Sequence, residues 1–177
     1  MKHVYHNVLQ LIDSIELLME EQFISSVLIL TYSAIDIVSS LSVKGDRDAQ
    51  RRDFIEWVDK YLLPIPQTSC TGKDLYAARC SVIHILGSES LLSRKGEAKN
   101  IVYTWGNESV EKLQKNMNLI ETPTIVIKIE VLIQSFREAV ADFFEAAKDD
   151  RELWETIKKR SQKMFSNENF SDEISTV

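Results

Sequence analysis

Turn-forming residues are scarce: the 177-residue chain holds only 5 Gly and 3 Pro. That scarcity favours helices joined by short loops. Cysteine is also rare, with Cys70 and Cys80 alone and at no metal-ligand spacing. No secretory leader is read ahead of them, so reduced thiols in a cytoplasmic protein are expected. Basic charge is not in excess, with 21 Lys+Arg against 27 Asp+Glu and a formal net charge of −6. Such a balance argues against gripping nucleic acid through an overall basic surface, though it leaves room for a local patch. There is no glycine-rich phosphate loop, no serine nucleophile motif and no convincing pair of carboxylates. His3 and His6 lie one helical turn apart without further ligands and are expected at the surface, so neither a metal nor another cofactor is implied.

The longest apolar run, "FISSVLILTYSAIDIVSSL" at 23–41, approaches the length of a membrane span. Asp36 lies in its second half among several Ser and Thr residues. A carboxylate there costs on the order of 2.5–3.5 kcal/mol on insertion scales. A buried helix of a soluble bundle is therefore expected, with no membrane contact.

The chain length suits one domain. Val4, Val8, Leu11, Ile12, Ile15, Leu18 and Met19 recur at helical spacing in a first helix. A second helix, about 22–42, is apolar nearly all round and is expected at the centre. A third, about 49–63, puts Phe54, Trp57, Val58, Tyr61 and Leu62 on one face before Pro64 and Pro66 end it. Thr71 and Asp74 form a capping pattern for a fourth helix, and Gly87 is placed as its left-handed C-terminal residue. Beyond it, "NIVYTWG" and "TPTIVIKI" read as two short strands able to pair, with a short helix between them. "EVLIQSFREAVADFFEAAKDD" follows as an amphipathic helix, then a charged helix, and residues 166–177 read as a polar tail. The expected fold class is mainly α, a bundle of up-and-down antiparallel helices.

Within the fourth helix the stretch "GKDLYAARCSVIHILGSE" holds Arg79 and His84. Five residues along a helix turn through about 140°, so the two side chains do not share a face. A long arginine could swing toward the histidine, or a second copy of the helix across a two-fold axis could complete a site. The helix C-terminus favours an imidazolium and a nearby arginine disfavours it, a balance suited to acid/base work near neutrality. The alternative is a histidine capping the last carbonyls of its helix, with Arg79 solvated or paired with an acid.

"RCSVIH" fits the R-x-x-x-x-H motif of the HEPN superfamily. "YSAIDIVSSL", "DFIEWVDKYLLP" and "DLYAARCSVIH" on successive helices resemble a stand-alone bacterial group within it, over about residues 5–90. A weaker echo runs through about 122–147. The resemblance implies an HEPN-like helical bundle spanning residues 1–165. It also implies a metal-independent endoribonuclease acting as a homodimer on RNA, often with an antitoxin or another defence-system partner against phage. His84 would take the proton of a ribose 2′-hydroxyl, and Arg79 would stabilise the crowded phosphate with its donor fork. A cyclic phosphate and a free 5′-hydroxyl would result. Many active members carry a polar residue, frequently Asn, directly after the arginine. Here that residue is Cys80, a poor hydrogen-bonding partner, so either Ser81 substitutes or the role is lost. The alternative is a non-catalytic HEPN module that binds a nucleotide or a protein partner.

Other candidates surround this pair. Asp36, the one charged residue of its apolar helix, needs a partner, and either orients Arg79 or His84 or makes a structural pair. Tyr76, three residues before Arg79, either lines a cleft and stacks on a base or is a core residue with its hydroxyl at the surface. Arg94, Lys95 and Lys99 offer RNA phosphate contacts if their loop folds back, and otherwise form a solvated loop. "KKRSQK" reads in the same two ways, as a phosphate patch or as the polar face of the last helix.

Overall fold

The computed structural model describes residues 2–164, and within them the protein is mainly helical with one small parallel sheet. The predicted polar tail at 166–177 lies outside the described residues. Helix α1 (Lys2–Glu20) buries Val4, Val8, Ile12 and Ile15, one face of the predicted stripe. His3 is partly buried beside that stripe, which corrects its expected surface position, whereas His6 is exposed.

Helix α2 (Ile24–Ser40) packs against α1 and three later helices, and is the central element. It buries Val27, Tyr32, Ile35 and Val38 but leaves Ser25 and Ser26 exposed, so its apolar character is not uniform around the axis. The hydroxyls of Ser33, Ser39 and Ser40 donate to the carbonyls of Ile29, Asp36 and Ile37. That back-bonding lets so many serines enter a crowded helix without orphaned donors. No helix among the described residues is long and apolar enough to cross a membrane.

Helix α3 (Arg51–Trp57) opens with a capping box between Gln50 and Asp53 and continues into a π-helical turn, Val58–Leu62. The widened turn keeps Trp57 and Tyr61 on one side. There Trp57 meets the rings of Phe136 and Phe143 at 6.5 and 5.9 Å. Helix α4 (Gly72–Ile85) begins as the sequence predicts. The Thr71 hydroxyl accepts from the Asp74 N–H at 3.2 Å, and the Asp74 carboxylate accepts from the Thr71 N–H at 3.0 Å. Glycine at its first position permits a close approach, because a Cβ on Gly72 would stand 2.6 Å from an Asp59 carboxylate oxygen and 3.0 Å from the Ile55 carbonyl oxygen.

The end of α4 differs from expectation. The left-handed residue is Leu86, with φ 50° and ψ 36°, rather than Gly87. A Cβ at Gly87 would meet only the exposed Ile85 side chain, its terminal methyl at 3.0 Å, which can turn aside. Two carbonyls of the final turn are taken by the backbone, Leu86 N–H donating to Val82 and Gly87 N–H to Ser81.

After a short helix, α5 (Leu91–Arg94), strand β1 (Asn100–Thr104) pairs in parallel with β2 (Thr124–Lys128), Ile101 opposite Ile125. Parallel strands need a crossover, and α6 (Val110–Met117) supplies it. The Gln114 side chain donates to Thr124 O and accepts from Val126 N–H, covering the free edge of β2. Helix α7 (Ile129–Asp149) buries Leu132, Phe136, Val140 and Phe143 against the core. Asp150 caps α8 (Arg151–Ser161), and Arg160 of α8 donates to the carbonyls of Val43, Gly45 and Arg47. That arginine of the "KKRSQK" run therefore clamps the loop between α2 and α3.

Candidate functional site

Helices α2 and α4 pack together so that Asp36 and Arg79, 43 residues apart, meet side by side. The arginine Nε donates to Asp36 Oδ2 at 2.6 Å, and its Nη2 approaches the same oxygen at 2.5 Å. Both side chains are half-buried, with 24% of Arg79 and 29% of Asp36 exposed. Water therefore still reaches the pair, and partner exchange is open to it. Burial lifts the Asp36 carboxyl above its ordinary value against the opposing hydrogen bond and charge of Arg79. Burial acts to lower the Arg79 value, but Asp36 and then Cys80 outweigh it and raise the guanidinium above its usual range.

A cleft of about 240 Å³ opens beside this pair. Asp36, Arg51, Phe54, Tyr76 and Arg79 line it, together with the polar side chains of Gln50 and Ser39. Tyr76 and Arg79 stand three residues apart on one face of α4, as the sequence places them. The Tyr76 ring meets Phe54 edge-on at 5.6 Å, and the Arg51 guanidinium lies 5.5 Å from its centroid. Tyr76 is thus both packed and cleft-lining. Burial, and next the Cys80 sulfur, push its phenol above the ordinary value. Cys80 sits between Tyr76 and Arg79 electrostatically and is a free, partly buried thiol.

Ser81 is turned into its own helix. It is 3% exposed, and its hydroxyl donates to the carbonyls of Ala77 and Ala78 in its own helix. His84 is exposed at the far end of α4 and makes no hydrogen bond or ion pair among the described residues. Its side chain takes none of the carbonyls at its helix end among the described residues. His84 does not line the Arg79 cleft, so one chain does not bring the predicted pair into a shared pocket. Next to it in the chain Ile85 and Leu86 are exposed apolar side chains, with Leu86 and Trp105 lining a neighbouring groove.

Arg94 and Lys95 are exposed on and just after α5 and do not line the cleft. Lys99 is held elsewhere, its Nζ 3.3 Å from the Ser69 hydroxyl and its N–H donating to Asp74 at 2.7 Å. Cys70, the second free thiol, is pushed up to about 12, chiefly by burial. It is correspondingly unreactive. No three His, Cys, Asp or Glu side chains gather among the described residues in a way that could hold a metal ion.

Sequence reasoning missed Arg51 and Gln50. No local signal marks them, because Arg51 reaches Tyr76 only through the packing of α3 on α4. Comparison with family models, curated proteins and solved structures returns no match.

Proposed function

We propose that the protein is a metal-independent endoribonuclease of HEPN type whose site is completed by a second copy of the chain. The carrying observation is the contrast within α4. Arg79 is fixed in a cleft by Asp36, while His84 projects into solvent from the end of the helix with no bond among the described residues. An exposed, unengaged imidazole has no structural duty there. The exposed apolar residues beside it, Ile85 at 67% and Leu86 at 58%, suit contact with the same helix end of a second copy. Across such a two-fold contact, each copy would bring a histidine toward the other's arginine.

The chemistry follows from the two side chains. Neutral His84 takes the proton of a ribose 2′-hydroxyl, and the 2′-oxygen attacks the adjacent phosphorus. The guanidinium of Arg79 stabilises the charge that builds on the phosphoryl oxygens. The bond from phosphorus to the 5′-oxygen breaks, and an imidazolium returns a proton to that oxygen. A 2′,3′-cyclic phosphate and a 5′-hydroxyl result, with no step that needs a metal. A toxin or antiphage effector is the setting this activity fits, with an antitoxin as its natural partner.

Incubation of the purified protein with mixed RNAs in excess EDTA tests the reading. Cleavage should persist, leaving 5′-hydroxyl ends that accept a phosphate directly from polynucleotide kinase. His84→Ala should lower the rate by about 10²–10⁴-fold, the usual worth of a general base. Sedimentation should show a dimer that Leu86→Glu dissociates. A dimer that cuts no RNA, or a His84→Ala protein as active as its parent, would leave the non-catalytic binding module as the better account.

A further inference from the structure

Arginines elsewhere in this chain are accounted for. Arg47 donates to Asp53 at 2.7 Å, Arg79 is held by Asp36, Arg137 pairs with Glu16, and Arg160 donates to three carbonyls. Arg52, largely exposed, lies 3.9 Å from Asp53, while Arg94 and Arg151 point into solvent. Arg51 differs from all of them. It is partly buried, lines the cleft and lies over the Tyr76 ring, yet has no carboxylate or carbonyl partner among the described residues. A guanidinium carries five donors in a rigid fork, and leaving them unmatched in a half-buried position is unfavourable. Contact with the ring draws the cation toward Tyr76 without satisfying its donors.

The cleft also has a charge imbalance. Arg51 and Arg79 set two positive charges against the single carboxylate of Asp36. That leaves one net positive charge in a chain whose formal charge is −6. The volume, about 240 Å³, falls below the roughly 300–1,000 Å³ of pockets that enclose a whole drug-sized ligand. A small anion on a longer polymer fits better than a complete nucleotide cofactor. Asp36 is a reluctant anion through its burial, so Arg79 can share its donors with an incoming one.

We infer that this cleft is a phosphate subsite for single-stranded RNA, in which the fork of Arg51, set over the Tyr76 ring, grips a backbone phosphate beside the one that Arg79 engages. RNA as the source of the phosphate rests on the ribonuclease reading; the subsite itself rests on Arg51. The subsite lies wholly within one chain and positions the strand. Arg51 takes no part in proton transfer.

The test uses full-length protein carrying His84→Ala, so that bound RNA stays intact. A fluorescent single-stranded oligoribonucleotide of mixed sequence is titrated by anisotropy over a series of salt concentrations. Arg51→Gln should weaken binding about tenfold and reduce the slope of log K against log salt by about 0.7, the share of one phosphate on a single strand. Arg51→Lys should restore the slope but only part of the affinity, since it keeps charge and loses the fork. Arg151→Gln, an exposed arginine on α8, should leave both unchanged. In protein that retains His84, Arg51→Gln should raise KM with kcat little altered. Equal effects of Arg51→Gln and Arg151→Gln, or an unchanged slope in Arg51→Gln, would overturn the subsite. If the parent cuts RNA while Arg51→Gln binds normally, the inference alone falls. If binding depends on Arg51 but no RNA is ever cut, the ribonuclease reading falls and the subsite stands.

Discussion

Asp36 and Arg79 are ordinary residues made informative by opposition. Burial works against the Asp36 charge, and the hydrogen bond and charge of Arg79 work for it, with burial the larger effect. Arg79→Met removes the opposing influence, so the carboxyl should titrate at still higher pH, followed by its ¹³C shift in NMR. A fall in that value would show that Arg79 does not support the carboxylate. The linkage sign is set by the raised value. A carboxyl that holds its proton better when folded contributes stability below its unfolded value, and that contribution is lost as pH rises through the folded one. Arg79→Met should therefore deepen the loss of stability as pH climbs through the acidic range toward neutrality, read by urea unfolding. Arg51 and His84 are the complementary case, side chains whose capacity for hydrogen bonding is left unused among the described residues.

Among the elements, α4 carries most of the functional argument. Its start is stabilised by a reciprocal cap between Thr71 and Asp74, with Gly72 allowing the approach of Asp59. Its end is less favourable, because a leucine at φ 50° places its Cβ close to the following carbonyl. Leu86→Gly removes that conflict, and Leu86 is 58% exposed, so little burial is lost. The isolated chain should gain about 0.5–1 kcal/mol in denaturant unfolding. If Leu86 also lies in a contact between copies, the same change should weaken self-association. A loss of stability at protein concentrations where the chain is monomeric would refute the strain argument. A left-handed leucine beside an unengaged histidine is a costly arrangement, and strained backbone of this kind gathers at working sites.

At the scale of the molecule, one aromatic cluster joins the first helices to the last long one. Phe143 is fully buried and meets Trp57, Tyr61 and Phe144 with ring centroids 5.3–5.9 Å apart. Phe143→Ala should cost about 3–5 kcal/mol, a large share of the 5–15 kcal/mol that holds a typical domain folded. Urea unfolding followed by tryptophan fluorescence measures it, and a loss below about 1 kcal/mol would mean that the cluster is not structural. The parallel pairing of β1 with β2 adds a second layer at one side of α4, and a hydroxyl bond between Tyr32 and Tyr103 ties α2 to that sheet.

Much of this fold is legible in the chain because it depends on neighbours within a turn or two. The stripe of α1, the Thr71–Asp74 cap, the serine-bearing central helix and the two short strands all follow from local spacing and residue type. The left-handed residue lies one position earlier than the sequence places it, at Leu86, because glycine is the usual occupant of such a position and local pattern points to Gly87. The parallel sense of the strands also escaped local pattern, which records β propensity but not which way a crossover returns. The candidate site divides the same way. Tyr76 and Arg79 are identifiable from one helix face, His84 from its spacing to Arg79, and Asp36 from one out-of-place charge. That Asp36 meets Arg79, that Arg51 settles on Tyr76, and that His84 is left facing solvent were decided by how α2, α3 and α4 pack. Those contacts join residues 25 to 43 positions apart, and no local periodicity carries information across that distance.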